Sequence, residues 1–164
     1  MQHMEASAMG AFAHVTIGVR DLGAALEFWA GTFGFELRAQ RHGPDPELAR
    51  AWGLSGEDIA REALVATPGA RAGALHLVEF AQPGPPVRQG AGPGDLLPKN
   101  LDLYTTDLPA RCAELSHAGH RFRAPWTEMP GPGGTRFREV HLPGHDHVNV
   151  VLLEIIGPGY ATPL

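Results

Sequence analysis

The order of predicted secondary structure elements occurs twice along the chain, and this internal repeat constrains the fold more than any other feature of the sequence. Asp21 and Asp107 each precede a helical pattern, and Gly34 and Gly119 each end one. The two aspartates are 86 residues apart and the two glycines are 85 residues apart. One predicted strand comes before each helix and three follow it. The sequence therefore predicts an α+β fold made of two tandem βαβββ modules.

The predicted strands are short runs rich in β-branched and aromatic residues, bounded by turns. The first module contains residues 11–19, FELRAQ, Ala60–Ala66 and Ala74–Phe80, with a short helix around Glu47–Trp52. The second module contains NLDLYTT, HRFRA, TRFREVH and HVNVVLLEII. We expect a loosely held N-terminus over residues 1–10, modules over 11–82 and 99–157, a Pro/Gly-rich linker over 83–98 and a tail over 158–164.

Composition narrows the classes of protein that this chain can belong to. The 164 residues are 43% hydrophobic and 19% charged, which excludes intrinsic disorder. The formal net charge of −5 argues against nucleic acid binding. No apolar run is long enough for a membrane span, and the first ten residues lack the pattern of a signal peptide. Cys112 is the single cysteine, so we expect no internal disulfide and a cytoplasmic location.

Polar residues recur at matching strand positions of the two modules. A strand presents alternate residues on opposite faces, and each module has one polar residue early in its first strand and one glutamate late in its fourth. These residues are His14 with Glu79, and Asn100 with Glu154. If the two sheets curl around a shared cavity, we expect the four side chains to converge near its floor. A carboxylate buried there needs a partner or a metal, so the pattern indicates a metal or functional cluster.

Four segments carry a resemblance to a known superfamily: HVTIGVRDLGAALEFWAGTFGFEL, GALHLVEF, NLDLYTTDLPARCAEL with the following SHAG, and FREVHLPGHDHVNVVLLEI. They resemble the vicinal oxygen chelate superfamily, which includes glyoxalase I, bleomycin-resistance proteins, extradiol dioxygenases and methylmalonyl-CoA epimerase. The resemblance covers residues 11–157 and implies a glyoxalase-like fold. In this fold the two modules form a curled, incomplete eight-stranded barrel.

The resemblance also implies a metal site. Carried over by position, the ligands are His14, Glu79 and Glu154, with Asn100 where a second histidine is usual. An amide oxygen ligates hard cations but is a weaker donor than imidazole for a transition metal. This set suits Zn, Ni, Mn or Mg as a Lewis acid that stabilises the enolate or oxyanion of a small carbonyl substrate, in a lyase or isomerase. Glu154 or Glu79 is then the general base.

The superfamily leaves two other functions open. Asp102 and Tyr104 share a face of the fifth strand and are candidates to orient a substrate. A metal-free protein that binds a drug or metabolite would use Trp52 and Trp126, which lie in loop segments, as stacking rings. A cofactorless isomerase or cyclase would use Asp102 or Glu154 as its base. The resemblance also implies that the protein is a homodimer.

Overall fold

A computed structural model describes residues 12–86, 88–92 and 100–157. The predicted N-terminal segment 1–10, the tail 158–164 and about half of the predicted linker lie outside these ranges. The chain divides into two compact units, Met1–Gly84 and Pro85–Leu164. Within the described ranges, no helix combines the length and the apolarity that crossing a membrane requires.

The first unit contains one four-stranded mixed sheet and two helices. Its elements, in chain order, are β1 (His14–Val19), α1 (Leu22–Leu26, continuing as a π-helical segment over Glu27–Thr32), β2 (Glu36–His42), α2 (Pro46–Ala51), β3 (Ile59–Ala66) and β4 (Ala74–Phe80). The strand order is β1-β4-β3-β2, with β1 parallel to β4 and the other pairs antiparallel. The α1 crossover joins β1 at one edge of the sheet to β2 at the other edge, and β3 and β4 lie between them.

The second unit repeats this topology without the inserted helix. Its elements are β5 (Leu101–Tyr104), α3 (Leu108–His117), β6 (Thr127–Pro130), β7 (Arg136–Pro143) and β8 (Asn149–Ile156), with single 3-10 turns at Pro132–Gly134 and His145–His147. The strand order is β5-β8-β7-β6, with β5 parallel to β8. Two unclosed mixed sheets, each from a βαβββ module, confirm the predicted α+β class.

The helix boundaries lie where the sequence predicts them. The carboxylate of Asp21 accepts a hydrogen bond from the Ala24 backbone N–H at 3.1 Å, and Asp107 accepts one from Ala110 at 3.0 Å. Gly34 and Gly119 have φ angles of +73° and +93°. Only glycine adopts this region without strain, so both residues end their helices as expected.

One predicted strand is wrong. HRFRA, residues 120–124, is not a strand, and the sixth strand is Thr127–Pro130 instead. The antiparallel register pairs Thr127 with Glu139 and Pro130 with Arg136, so β6 covers only the first half of β7. Residues 120–124 meet β7 through a single backbone bond, from Arg123 N–H to the His141 carbonyl at 2.9 Å. Alternation alone cannot show which of two adjacent segments finds a partner strand.

The register of β1 on β4 separates the first sheet into two faces. His14 is opposite Ala74 and Thr16 is opposite His76, so these residues share one face, which we call the His14 face. Val19 is opposite Glu79 on the other face, which we call the α1 face because α1 contacts it. The α1 face carries the core residues Ala63, Val65, Leu75 and Leu77, all buried.

The second sheet has the same arrangement. Leu101 is opposite Val150 and Leu103 is opposite Leu152, and these residues lie on the face contacted by α3, the α3 face. Asp102 is opposite Val151 on the other face, which we call the Asn100 face. The alternation of β5 places Asn100 and Tyr104 there as well.

A glutamate on the last strand of each unit joins the sheet to the start of the helix. Glu79 accepts a hydrogen bond from the Leu22 backbone N–H at 2.7 Å and two from Arg61 on β3, at 3.1 and 2.5 Å. Glu154 accepts from the Leu108 backbone N–H and from Arg138 on β7, both at 3.3 Å. Arg61 and Arg138 are opposite these glutamates in the register. The repeat therefore includes this contact, in which a glutamate of the fourth strand bonds both the third strand and the N-terminus of the helix.

We expect Glu79→Ala and Glu154→Ala each to lower the free energy of unfolding by about 1.5–3 kcal/mol, the range for hydrogen bonds to a charged group. The loss arises mainly at the orphaned helix N–H, because the Arg61 side chain is 43% exposed and an exposed ion pair contributes little. Urea denaturation followed by circular dichroism measures the change. Glu57→Ala, at an exposed turn, is the control and should stay within about 0.5 kcal/mol of the parent chain. Equal losses in all three variants would contradict this role.

Candidate ligand-binding site

The structure does not bring His14 and Glu79 together. They lie on opposite faces of the first sheet, because the β1–β4 register places His14 opposite Ala74 and Glu79 opposite Val19. Asn100 and Glu154 are separated in the same way, since Glu154 reaches α3 while Asn100 is on the opposite face. Strand alternation relates residues within one strand only. The relative phase of two strands distant in sequence is set by their register.

The donor set expected for a metal therefore does not fit within either unit. Glu79 and Glu154 are each bonded to an arginine and to a backbone N–H. The Asn100 amide oxygen, its only metal-ligating atom, accepts a hydrogen bond from Asn149 at 2.9 Å. Across the described ranges, no group of three or more His, Cys, Asp or Glu side chains is arranged to hold a metal ion. Within either unit these residues therefore do not form the site expected for Zn, Ni, Mn or Mg.

The His14 face carries a different polar cluster, centred on His76. The Nε2 atom of His76 is 2.7 Å from the Glu62 carboxylate, and Nδ1 is 3.4 Å from the Thr16 hydroxyl. The His14 ring meets the His76 ring edge to face, with centroids 5.6 Å apart. Arg41 on β2 pairs with Glu62 at 3.2 Å and with Asp45 at 3.0 Å. One guanidinium thus lies between two carboxylates, which leaves this cluster with an excess of negative charge.

Trp52 reaches the same cluster because α2 packs on the His14 face. Ala49 of α2 is buried against Ile59 and Val78, and Phe80 packs at the edge of this contact. Trp52 follows α2 directly, and its ring centroid lies 6.2 Å from His76 and 6.4 Å from Phe80. The indole remains 40% exposed. A large aromatic ring is therefore presented on the His14 face, between the apolar contact of α2 and the His76 cluster.

Asp45 holds the start of α2. Its carboxylate accepts hydrogen bonds from the backbone N–H groups of Leu48 at 2.9 Å and Glu47 at 3.1 Å. The hydrogen bond from the Leu48 backbone, together with the Arg41 charge and the hydrogen bond from Glu47, holds the pKa of Asp45 below its ordinary value despite the cost of desolvation. The charged form of Asp45 thus favours the position of α2, and with it that of Trp52.

The Asn100 face carries an amide cluster instead. Asn149 at the start of β8 is only 8% exposed, and it contacts three side chains. Its Nδ2 atom donates to Asn100 and lies 3.0 Å from the Nδ1 atom of His141. Its Oδ1 atom accepts from Arg123 Nε at 2.7 Å. A buried amide thereby fixes Asn100, His141 and Arg123 relative to one another.

The four predicted ligand-contacting residues are divided between different places. Asp102 and Tyr104 lie on the Asn100 face, and Tyr104 is 44% exposed. Trp52 lies on the His14 face of the first unit. Trp126 lies on the α3 face of the second unit, where the Arg138 guanidinium is 5.5 Å from its ring centroid. There it lines a cavity of about 460 Å³ between α3 and residues 122–126, so it does not share a face with Asp102 and Tyr104.

Sequence reasoning missed the residues at the centre of both clusters. Glu62 and His76 become neighbours only because β3 and β4 pair with Leu64 opposite His76. Asn149 did leave a signal, because it is a lone amide in the apolar run of β8. A buried amide requires hydrogen-bonding partners, so this position could have been identified as the centre of a polar network.

Comparisons with known proteins agree with this architecture. The family model for the Glyoxalase/Bleomycin resistance protein/Dioxygenase superfamily matches residues 11–146, and the chain belongs to this superfamily. A glyoxalase family protein from Bacillus cereus has 19% identity and a TM-score of 0.75, covering 94% of this chain and 99% of its own. TnmS3, an antibiotic binding protein from Streptomyces sp. CB03234, has 25% identity and a TM-score of 0.55, covering 90% and 97%. No curated protein matches the sequence. The glyoxalase-like fold is therefore confirmed.

The role of Asp45 predicts a pH effect on Trp52. A carboxyl group whose pKa is lowered by folding stabilises the native state above its ordinary pKa, about 4, and this stabilisation is lost as the pH falls through the native value. In a Trp126→Phe background, we expect acrylamide to reach Trp52 more readily below pH 4, while the buried Trp29 stays protected. Asp45→Asn keeps an oxygen acceptor but does not titrate, so the step should vanish. An unchanged acid step in that variant would refute the assignment.

Proposed function

We propose that the protein binds a planar aromatic small molecule on the His14 face of its first unit, without a metal ion. The observation that carries this proposal is the commitment of Glu79 to Arg61 and the α1 N-terminus, on the opposite face from His14. The His14 face then retains aromatic and hydrogen-bonding groups and lacks the expected carboxylate ligand. Such a face is suited to the metal-free binding of a drug or metabolite. It is not suited to a Lewis-acid enzyme that uses His14 and Glu79 as ligands.

Stacking on Trp52 supplies the apolar part of the proposed interaction. The indole is 40% exposed, so one part of its flat ring is open to a stacked planar ligand. His76, His14 and Phe80 extend the aromatic surface beside it. Gly18 lets the Phe80 ring lie close to β1, because a Cβ atom there would lie 3.3 Å from that ring. An aromatic pair contributes about 0.5–1.5 kcal/mol beyond its buried area.

The polar groups of the face would orient the ligand. Glu62 and Asp45 outnumber Arg41, so a cationic aromatic ligand is favoured over an anionic one. His76 is held by Glu62 and Thr16, and therefore offers a fixed ring to a stacked ligand. TnmS3 supports this assignment at the level of the protein class, since it is an antibiotic binding protein. For Asp102 and Tyr104, which lie on the Asn100 face of the second unit, contact with a ligand stays a prediction.

Metal-free proton transfer, as in an isomerase or cyclase, is a second candidate. The observation that favours it is the His76–Glu62 pair, with 2.7 Å between Nε2 and Oε2. A histidine held by a carboxylate is a common general base. In this case His76 would take the role that we predicted for Asp102 or Glu154, because Glu154 is bonded to Arg138 and to the α3 N-terminus.

Binding is tested with three probes that contain a planar aromatic group: metal-free bleomycin through its bithiazole, the cation proflavine and the anion anthraquinone-2-sulfonate. We expect proflavine or bleomycin to bind with micromolar affinity in the presence of EDTA, measured by isothermal titration calorimetry. Trp52→Ala should weaken binding about tenfold, which corresponds to about 1.4 kcal/mol. Trp52→Phe should restore part of the loss because it retains a ring.

Trp126→Ala is the matched control, since its indole is equally exposed but lies in the second unit. It should leave the affinity within twofold of the parent chain. Binding that requires added metal, or that is weakened equally by Trp52→Ala and Trp126→Ala, would overturn the proposal. Chemical conversion of a bound probe that is lost in His76→Gln would favour the proton-transfer candidate.

A further inference from the structure

The amide cluster of the second unit has a hydrogen-bond direction that can be deduced atom by atom. Arg123 Nε carries a proton and can only donate, so the Asn149 atom 2.7 Å away must be the oxygen. The other amide atom of Asn149 is therefore Nδ2, which carries two protons. It donates to Asn100 Oδ1 at 2.9 Å and to His141 Nδ1 at 3.0 Å. All protons of the central amide are thereby used.

This direction determines what the three outer side chains present. Asn100 uses its oxygen toward Asn149 and retains an NH₂ group with two donors. His141 accepts at Nδ1, so its proton is on Nε2. Arg123 retains the four N–H donors of its two terminal nitrogens. Asn149 thus occupies the acceptor atoms of Asn100 and His141. The polar atoms of the outer side chains that point away from Asn149 are therefore hydrogen-bond donors.

Arg123 is the charged member of the cluster. Its side chain is exposed, and among the described residues no carboxylate pairs with it. Its position is fixed twice, by Nε on Asn149 and by its backbone N–H on the His141 carbonyl at 2.9 Å. Two carboxylates lie on the same face: Glu139 is 3.5 Å from His141 Nε2, and Asp102 is two residues along β5 from Asn100. They limit the affinity for a bare anion but leave the Arg123 fork available.

We infer that this cluster is a binding site for a carboxylate group of a small organic acid. A guanidinium fork held at its Nε binds a carboxylate through its terminal nitrogens, and a fixed fork loses little entropy on binding. The NH₂ group of Asn100 supplies a further neutral donor. Asn149 acts as a positioning residue. It does not touch the ligand but keeps the oxygen of Asn100 and the Nδ1 atom of His141 turned away from it.

Titration with sodium benzoate, followed by NMR of the arginine Nε–H and asparagine side-chain amides, tests this site. We expect benzoate to shift the Arg123 and Asn100 signals with millimolar affinity, whereas the neutral isostere benzamide leaves them unchanged. Arg123→Met should weaken benzoate binding at least tenfold. Arg121→Met, two residues away on an exposed side chain, is the matched control and should stay within twofold.

Two more variants separate a binding role from a structural one. Arg123→Lys keeps the charge and loses the fork, so we expect a loss of affinity close to that of Arg123→Met. Asn149→Asp keeps the acceptor for Arg123, removes both donors and adds a negative charge beside the guanidinium, so benzoate binding should fall although the fold, monitored by backbone amide shifts, is retained. Equal effects of Arg121→Met and Arg123→Met, or equal shifts with benzoate and benzamide, would overturn the inference. Either result is independent of probe binding at Trp52.

Discussion

A carboxylate at the end of the fourth strand organises each half of this protein. Glu79 and Glu154 accept the first backbone N–H of their unit's helix and an arginine from the neighbouring strand. The positive end of the helix dipole favours a negative charge there, and the arginine compensates its burial. The contact ties together the crossover helix, the third strand and the fourth strand. Each module depends on it, because the chain leaves the sheet at β1 or β5 and has to return in one register.

This arrangement decides what the opposite sheet faces can do. Both glutamates point toward their helices. The His14 face and the Asn100 face are therefore formed by the alternate residues of each strand, whose side chains point to the opposite side of the sheet. A superfamily scaffold that resembles metal enzymes in sequence therefore carries, in each unit, a face without the expected carboxylate. The same fold supports unrelated chemistries for this reason, since exchange of a few side chains on one face leaves the core unchanged.

The two faces have diverged although their frameworks match. The first unit carries an inserted helix, α2, which brings Trp52 beside His76 and adds the charges of Arg41 and Asp45. The second unit lacks that insertion and has the buried amide of Asn149 in its place as an organising group. One face is aromatic with an excess of negative charge, and the other offers hydrogen-bond donors around Arg123. Two halves of the same topology thus provide two chemically different surfaces.

The sequence by itself determined the repeat, the helix caps at Asp21 and Asp107, the glycine ends and seven of the eight strands. These features depend on local chemistry: a side chain that bonds its own helix, a φ angle that suits glycine, and alternation along one strand. The segment HRFRA was misassigned because strand formation requires a partner, and Thr127–Pro130 has that partner. The grouping of His14 with Glu79 depended on the phase between two strands about 60 residues apart. Only the tertiary structure decides that phase, since a shift of one residue moves every side chain of a strand to the other face.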